Sequence, residues 1–207
     1  MTGPSATRGR IDKRRAILDA AVTVFAREGY AEAGVQEIAD AAGVAKPTVY
    51  NHLVDKPNLF RESMIAAAEG VTAANLAVVE RLAEPDDVRA ALEYVGVHLV
   101  RCHCDERSRA VRQLLQAEAA RFPDLIDQVW SSATHRVTQA LADRLARLML
   151  TGRLRTGDPV EAAEQLFALL AGPVDARSRF GTRAVPTPEQ DSIARAAVRT
   201  FLAAYAG

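Results

Sequence analysis

Apolar side chains recur along most of the chain at spacings of three and four residues, the period of helices with one buried face. Alternating runs of β-branched residues are nearly absent, so the pattern predicts an all-α protein. Ile17, Ala20, Ala21, Val24 and Phe25 form a first stripe that Gly29 stops. Val35, Ile38, Ala39 and Ala42 form a second, closed by Gly43. A third, short helix is expected from Lys46 to Leu53, where Pro47 is tolerable only in the first turn. Asp55 reads as the N-cap of a longer helix that begins near Lys56, carries Leu59, Phe60, Met64 and Ile65, and runs to about Ala83.

The pattern breaks at Pro85 and resumes with Val88, Leu92, Val95, Leu99 and Cys102. Val111, Leu114, Leu115 and Ala119 make the next stripe, which ends before Pro123. One long helix is then expected through Leu125, Ile126, Val129, Trp130, Ala133, Val137, Leu141, Leu145 and Leu148 as far as Gly152. Asp158-Pro159 restarts the pattern with an N-cap followed by proline, and Val160, Ala163, Leu166, Phe167 and Leu170 continue it until Gly172-Pro173 interrupts. Residues 175–188, rich in Arg, Gly and Pro, read as a loop. Ile193, Ala197, Val198, Phe201, Leu202 and Tyr205 close the chain. The count is about nine helices.

Bulk composition changes this picture little. At 207 residues and 49% apolar content there is ample material for a core, in one large domain or two small ones. The formal net charge is zero, so any nucleic-acid binding must rest on local charge. Such charge exists at the start. Arg8, Arg10, Lys13, Arg14 and Arg15 stand against Asp12, and a solvated tail would account for them equally well. Cys102 and Cys104 are the two cysteines and make no disulfide framework, which fits a reduced cytoplasmic setting. No apolar run reaches the ~18 residues of a membrane span, and no signal peptide is visible, so no membrane partner is expected.

The chemistry concentrates between Val35 and Leu53. Two helices meeting at a glycine turn make a helix-turn-helix, whose second helix lies in the major groove of DNA. Val35, Ile38, Ala39, Val44, Val49 and Leu53 can pack inward on the first stripe. Lys46, Thr48, Tyr50, Asn51 and His52 are left for the outer face. Lysine suits guanine acceptors, asparagine pairs with adenine, and hydroxyls hold phosphates. Spacing alone leaves an ordinary polar surface helix as an open alternative.

The wider stretch from Arg14 to Phe60 resembles the DNA-binding domain of the TetR (tetracycline-repressor-like) family of bacterial regulators. Ile17, Ala20, Ala21, Phe25, Gly29, Tyr30, Ile38, Ala39, Ala42, Gly43, Val44, Lys46, Thr48, Tyr50, His52, Lys56, Leu59 and Phe60 carry the match. The resemblance implies a flexible basic N-terminal arm at 1–10, a three-helix DNA-binding domain at 11–56, and a helical ligand-binding and dimerisation domain at 57–207. It implies a homodimeric repressor on a pseudo-palindromic double-stranded DNA operator, released by a small-molecule effector. By position, Gln36, Lys46, Pro47 and Asn51 match base-facing places, and Thr48, Tyr50, His52 and Lys56 phosphate-facing ones. The chain departs from the family at Gly34 and Ala45, where the usual hydroxyls are missing and side-chain caps are lost.

The second domain offers pocket candidates in Tyr94, His98, Arg101, Cys102, Phe122, Trp130 and Phe167, each of which ordinary core packing would also explain. By resemblance, Leu166, Leu170, Ile193, Val198, Phe201 and Tyr205 are expected at the dimer interface, with closure of the monomer core as the alternative. His98 and Cys102 lie four apart, but two ligands do not make a metal site, so neither metal nor cofactor is expected. No phosphate loop, nucleophile elbow or zinc-protease motif is present, so no enzyme is expected. A helical interaction module without a DNA role is the main alternative function.

Overall fold

The computed structural model describes residues 4–207, with side chains from residue 10 onward. The helices are α1 (Pro4–Glu32), α2 (Val35–Ala41), α3 (Lys46–Leu53), α4 (Lys56–Val79), α5 (Val88–Cys104), α6 (Glu106–Ala117), α7 (Pro123–Val129), α8 (His135–Leu150), α9 (Pro159–Ser178) and α10 (Thr187–Tyr205). Among the described residues, extended pairing is limited to one bridge between Leu154 and Ala206. The protein is all-α.

Three helix starts are capped by aspartates, of which Asp55 and Asp158 were the expected ones. Asp55 accepts from the Asn58 amide at 2.8 Å ahead of α4. Asp87 accepts from Ala90 ahead of α5, and Asp158 from Val160 and Glu161 ahead of α9. Each carboxylate satisfies amides that a helix end leaves without partners.

Three expectations need correction. The single long helix from Leu125 to Leu148 is two helices, α7 and α8, joined by a π-helical turn at Trp130–Thr134. Leu125 packs in one core and Val137, Leu141 and Leu145 in another, and the wider turn re-registers the apolar stripe between them. Gly172-Pro173 does not end α9, which continues to Ser178. Proline there removes one backbone hydrogen bond, but Val174 and Ser178 beyond it are buried, and that packing holds the last turn. The segment expected as a flexible arm is helical from Pro4; residues 1–3 of that arm lie outside the described residues.

The chain divides into two compact units, and the division differs from a cut at 56/57. The first comprises the chain up to Glu69 together with Ala110–Val129; the second comprises Gly70–Arg109 and Trp130–Gly207. The reason is packing. Val111, Leu114, Phe122 and Leu125 are buried in the same core as Ile17, Phe25, Ile38, Leu53, Phe60 and Met64. Four rings meet there, with Phe60 and Phe122 at 5.1 Å and Tyr30 and Phe122 at 5.2 Å.

The second unit is built on α5, α8, α9 and α10, whose buried side chains are mostly Leu, Val, Ile and Ala. Gly96 sits where α5 meets α9 and α10. A Cβ at this position would come within 3.3 Å of both Leu170 and Val198, so the missing side chain is what lets the three helices approach.

Candidate nucleic-acid interface

The turn between α2 and α3 is closed by Gly43, at φ +66°. Its amide donates to the Asp40 carbonyl at 3.1 Å, and Val44 donates to Ala39 at 3.0 Å. Glycine takes this left-handed geometry without steric cost. Ile38 and Ala39 of α2, and Val49 and Leu53 of α3, are buried with Ile17, Ala21 and Phe25 of α1. Val35 and Val44 pack at the margin. Neither Gly34 nor Ala45 supplies a side-chain cap to its helix.

Burial of Val49 and Leu53 turns the rest of α3 outward. Lys46, Pro47, Tyr50 and Asn51 are exposed, whereas Thr48 and His52 are half-buried. Lys46 lies 6.0 Å from the Tyr50 ring, one turn away. Gln36 of α2 is exposed, and its amide donates to Asp40 at 2.8 Å. Gln36, Lys46, Pro47, Tyr50 and Asn51 are thus each exposed on the helix-turn-helix.

Lys56 is different. Its ammonium donates to the Ala31 carbonyl at 2.8 Å and lies 5.1 Å from the Tyr30 ring. It ties the start of α4 to the end of α1, a structural duty that the sequence did not reveal, and keeps two further N–H groups. Tyr30 also carries Arg121, 4.9 Å from its ring. Burial pushes the Tyr30 hydroxyl up, and Arg121 opposes that shift. Arg121, Phe122 and Asp124 were not legible as parts of the reading head, because no local pattern links residues 118–124 to residues 25–61. Arg61 donates to Asp124 and lies 4.9 Å from the Phe122 ring. That hydrogen bond holds the Asp124 carboxyl below its ordinary range.

α3 leads into α4 through a strained joint. Val54 has φ 59° and ψ −59°, and Asp55 donates to the Leu53 carbonyl across it at 2.6 Å. This is the γ-turn of positive φ, rare for any residue and rarer for a β-branched one. The Asn58 side chain also donates to Leu53, at 3.0 Å, and braces the turn.

The pocket and interface candidates of the second unit fare less well. Tyr94, His98 and Arg101 follow one another on the outer face of α5, opposite buried Leu92, Val95, Gly96 and Leu99. The His98 ring lies tilted against Tyr94 with centroids 4.0 Å apart, its Nδ1–H donating to the Tyr94 carbonyl. Arg101 pairs with Asp191 at 3.0 Å. Trp130 is 64% exposed. These four do not line the interior of the unit. Phe122 belongs to the ring cluster of the first unit instead. Cys102 is half-buried, and Phe167 packs at the edge of the aliphatic core. Among the described residues, no group of three or more His, Cys, Asp or Glu side chains comes together to hold a metal.

Leu166, Leu170, Ile193, Val198 and Phe201, expected at a dimer interface, are each at most 3% exposed within a single chain. They close their own core, because they occupy the inward positions of α9 and α10. Tyr205 is half-buried and donates to Gln165 at 2.7 Å.

Comparison with known proteins bears on the same two segments. Residues 17–62 match the profile of bacterial regulatory proteins of the tetR family. Residues 90–207 match the C-terminal domain of AefR-like transcriptional repressors. A TetR-family regulator from Mesorhizobium loti, solved by crystallography, is 31% identical and superposes with a TM-score of 0.88 over 96% of this chain and 98% of its own. The transcriptional repressor AcnR of Corynebacterium efficiens is 28% identical, covering 73% of each chain. The transcriptional regulator YvkB of Bacillus subtilis is 24% identical over 84% of this chain and 87% of its own.

Proposed function

Because the chain belongs to the TetR family of helix-turn-helix transcriptional regulators, we propose that it acts as a homodimeric repressor at a pseudo-palindromic operator and is released by a small-molecule effector. One observation carries the reading: α3 buries Val49 and Leu53 and presents Lys46, Pro47, Tyr50 and Asn51 to solvent. Lys46 and Asn51 supply base contacts, Lys46 to guanine acceptors and Asn51 to adenine. Gln36 and Pro47 border them. Thr48, Tyr50 and His52 hold phosphates, and Lys56 joins them with the N–H groups that Ala31 leaves unused.

Two copies read two half-sites when their α3 helices sit about one turn of DNA, ~34 Å, apart. The outward positions of α9 and α10, among them Ala168, Gly172, Arg195, Arg199 and Ala203, are what these helices offer a partner. The effector binds the second unit with different affinities for the DNA-competent and DNA-released states, the condition for any ligand-driven switch. The setting of this activity is the cytoplasm, where the DNA is. The family consists of regulators rather than enzymes, and the chain is one of them.

The experiment is selection of bound duplexes from a random pool by the full-length protein. The expected product is a pair of inverted half-sites with centres one or two helical turns apart. Lys46→Ala and Asn51→Ala should each cost about 1–3 kcal/mol on that operator and relax its specificity. An unenriched pool, or variants whose specificity matches the wild type, would defeat the assignment.

A further inference from the structure

The polar side chains of α2 are committed to partners. Ile38 and Ala39 are fully buried and fix how the helix lies on Ile17, Ala21 and Phe25 of α1. Glu37 pairs with Arg27 of α1, which also pairs with Glu28. Gln36 and Asp40 are exposed, one helical turn apart. Gln36 Nε2 donates to the Asp40 carboxylate at 2.8 Å. The Asp40 carbonyl in turn accepts from the Gly43 amide at 3.1 Å, at the turn that leads into α3. Asp40 thus joins Gln36 by its side chain and the turn by its backbone.

The chemistry of this pair fixes an orientation. A free glutamine amide offers two N–H donors and a carbonyl oxygen, and rotation about its last torsion lets either end lead. An ionised carboxylate only accepts. Asp40 can therefore hold the N–H end of the amide and never the oxygen end. One N–H is used on Asp40; the other N–H and the carbonyl oxygen are left. That adjacent donor and acceptor match the major-groove edge of adenine, whose N6–H donates and whose N7 accepts. Guanine presents two acceptors there, O6 and N7. Against them Gln36 has one N–H to give, and its oxygen meets another oxygen. Holding the amide before DNA arrives also leaves fewer rotamers to be lost on binding.

We propose that Asp40 is a positioning residue for base choice: by holding Gln36 Nε2 it directs the Gln36 amide to adenine and against guanine at one base pair of each half-site. The inference rests on the operator-binding reading, in which Gln36 borders the base contacts, and deepens it. Asp40 acts through Gln36 and makes no base contact of its own.

The test uses full-length protein and operators selected from the random pool. Wild type, Q36A, D40A, D40N and Q36A/D40A are compared on the selected operator and on duplexes carrying each base substitution in both half-sites, with circular dichroism confirming that each variant folds. Q36A should lose an adenine-over-guanine preference of about fivefold or more at one position per half-site. D40A should reduce the preference at that same position by about twofold per half-site, or about fourfold on the two together. D40N should behave like D40A, because its amide can present either end to Gln36. In the Q36A background, D40A should leave every base preference where Q36A put it. A purely structural role for Asp40 would instead weaken all duplexes by one factor and move no preference, and that outcome overturns the proposal. So does a D40A effect that survives in the Q36A background, which would make Asp40 a direct reader. A selected operator with no preference that Q36A removes also overturns it, while the operator-binding reading stands. Wild type that enriches no duplex retires both.

Discussion

The two cores close with different side chains. The first brings four rings together, with Phe25, Tyr30, Phe60 and Phe122 at centroid separations of 5.0 to 5.9 Å. The second closes with aliphatic side chains around the single buried ring of Phe201. Ring pairs prefer edge and offset geometries, so they fix orientation as well as distance. Aliphatic side chains interdigitate and tolerate exchange if volume is kept. A stiff core suits the unit that must hold α3 at one angle, and a repackable one suits the unit assigned the effector.

Phe122→Ala breaks this comparison most severely. The ring is 5% exposed, touches Tyr30 and Phe60, and lies under Arg61. Its removal should cost about 3–5 kcal/mol, read by chemical denaturation. A cost below about 1 kcal/mol would mean that the first core closes without Ala110–Val129. In the second unit, the matching insult adds volume. Gly96→Leu pushes a side chain into space where even a Cβ stands 3.3 Å from Leu170 and Val198, and should cost about 1–3 kcal/mol. A neutral outcome would show that α5 can slide on α9 and α10.

The same contrast explains what could be read in advance. Helix starts at Asp55 and Asp158 and the turn at Gly43 are local chemistry, written in a few adjacent residues, and the structure follows them. The outward set on α3 follows from the inward positions of Val49 and Leu53. Long-range packing was not legible. Phe122 carries no mark of the core it enters, and nothing near Lys56 in sequence announces its bond to the Ala31 carbonyl. The inward residues of α9 and α10 expected at a dimer interface lie in their own core for a related reason. An apolar stripe shows that a face is buried, but not whether its own chain or a second copy buries it.

A smaller effect probes the joint between the reading helix and α4. Val54 is 74% exposed, so its side chain gains little from packing, while its backbone sits at φ 59°. Backbone strain of this kind costs about 1–3 kcal/mol, and glycine relieves it while losing about 0.5–1 kcal/mol in chain entropy. Val54→Gly should therefore raise stability by about 1 kcal/mol, seen as a higher Tm. A lower Tm would mean that Asp55, Leu53 and Asn58 hold the turn without strain.

The smallest effect is a pH response confined to the first unit. The Arg61 guanidinium donates to Asp124 and holds its carboxyl below the ordinary 3.8. In the unfolded chain Asp124 titrates near that ordinary value, so protonation favours unfolding. The pair contributes fully above the unfolded value, and the contribution fades as pH falls through the lower, folded one. Asp124 is 67% exposed, so solvent screens the pair and the effect stays small. The Tm difference between wild type and Asp124→Asn, followed from about pH 6 to about pH 3, should shrink as the pH drops. A difference that stays constant would mean that Asp124 acts on Arg61 through shape rather than charge. The stiffness of the first core would then rest on its rings alone.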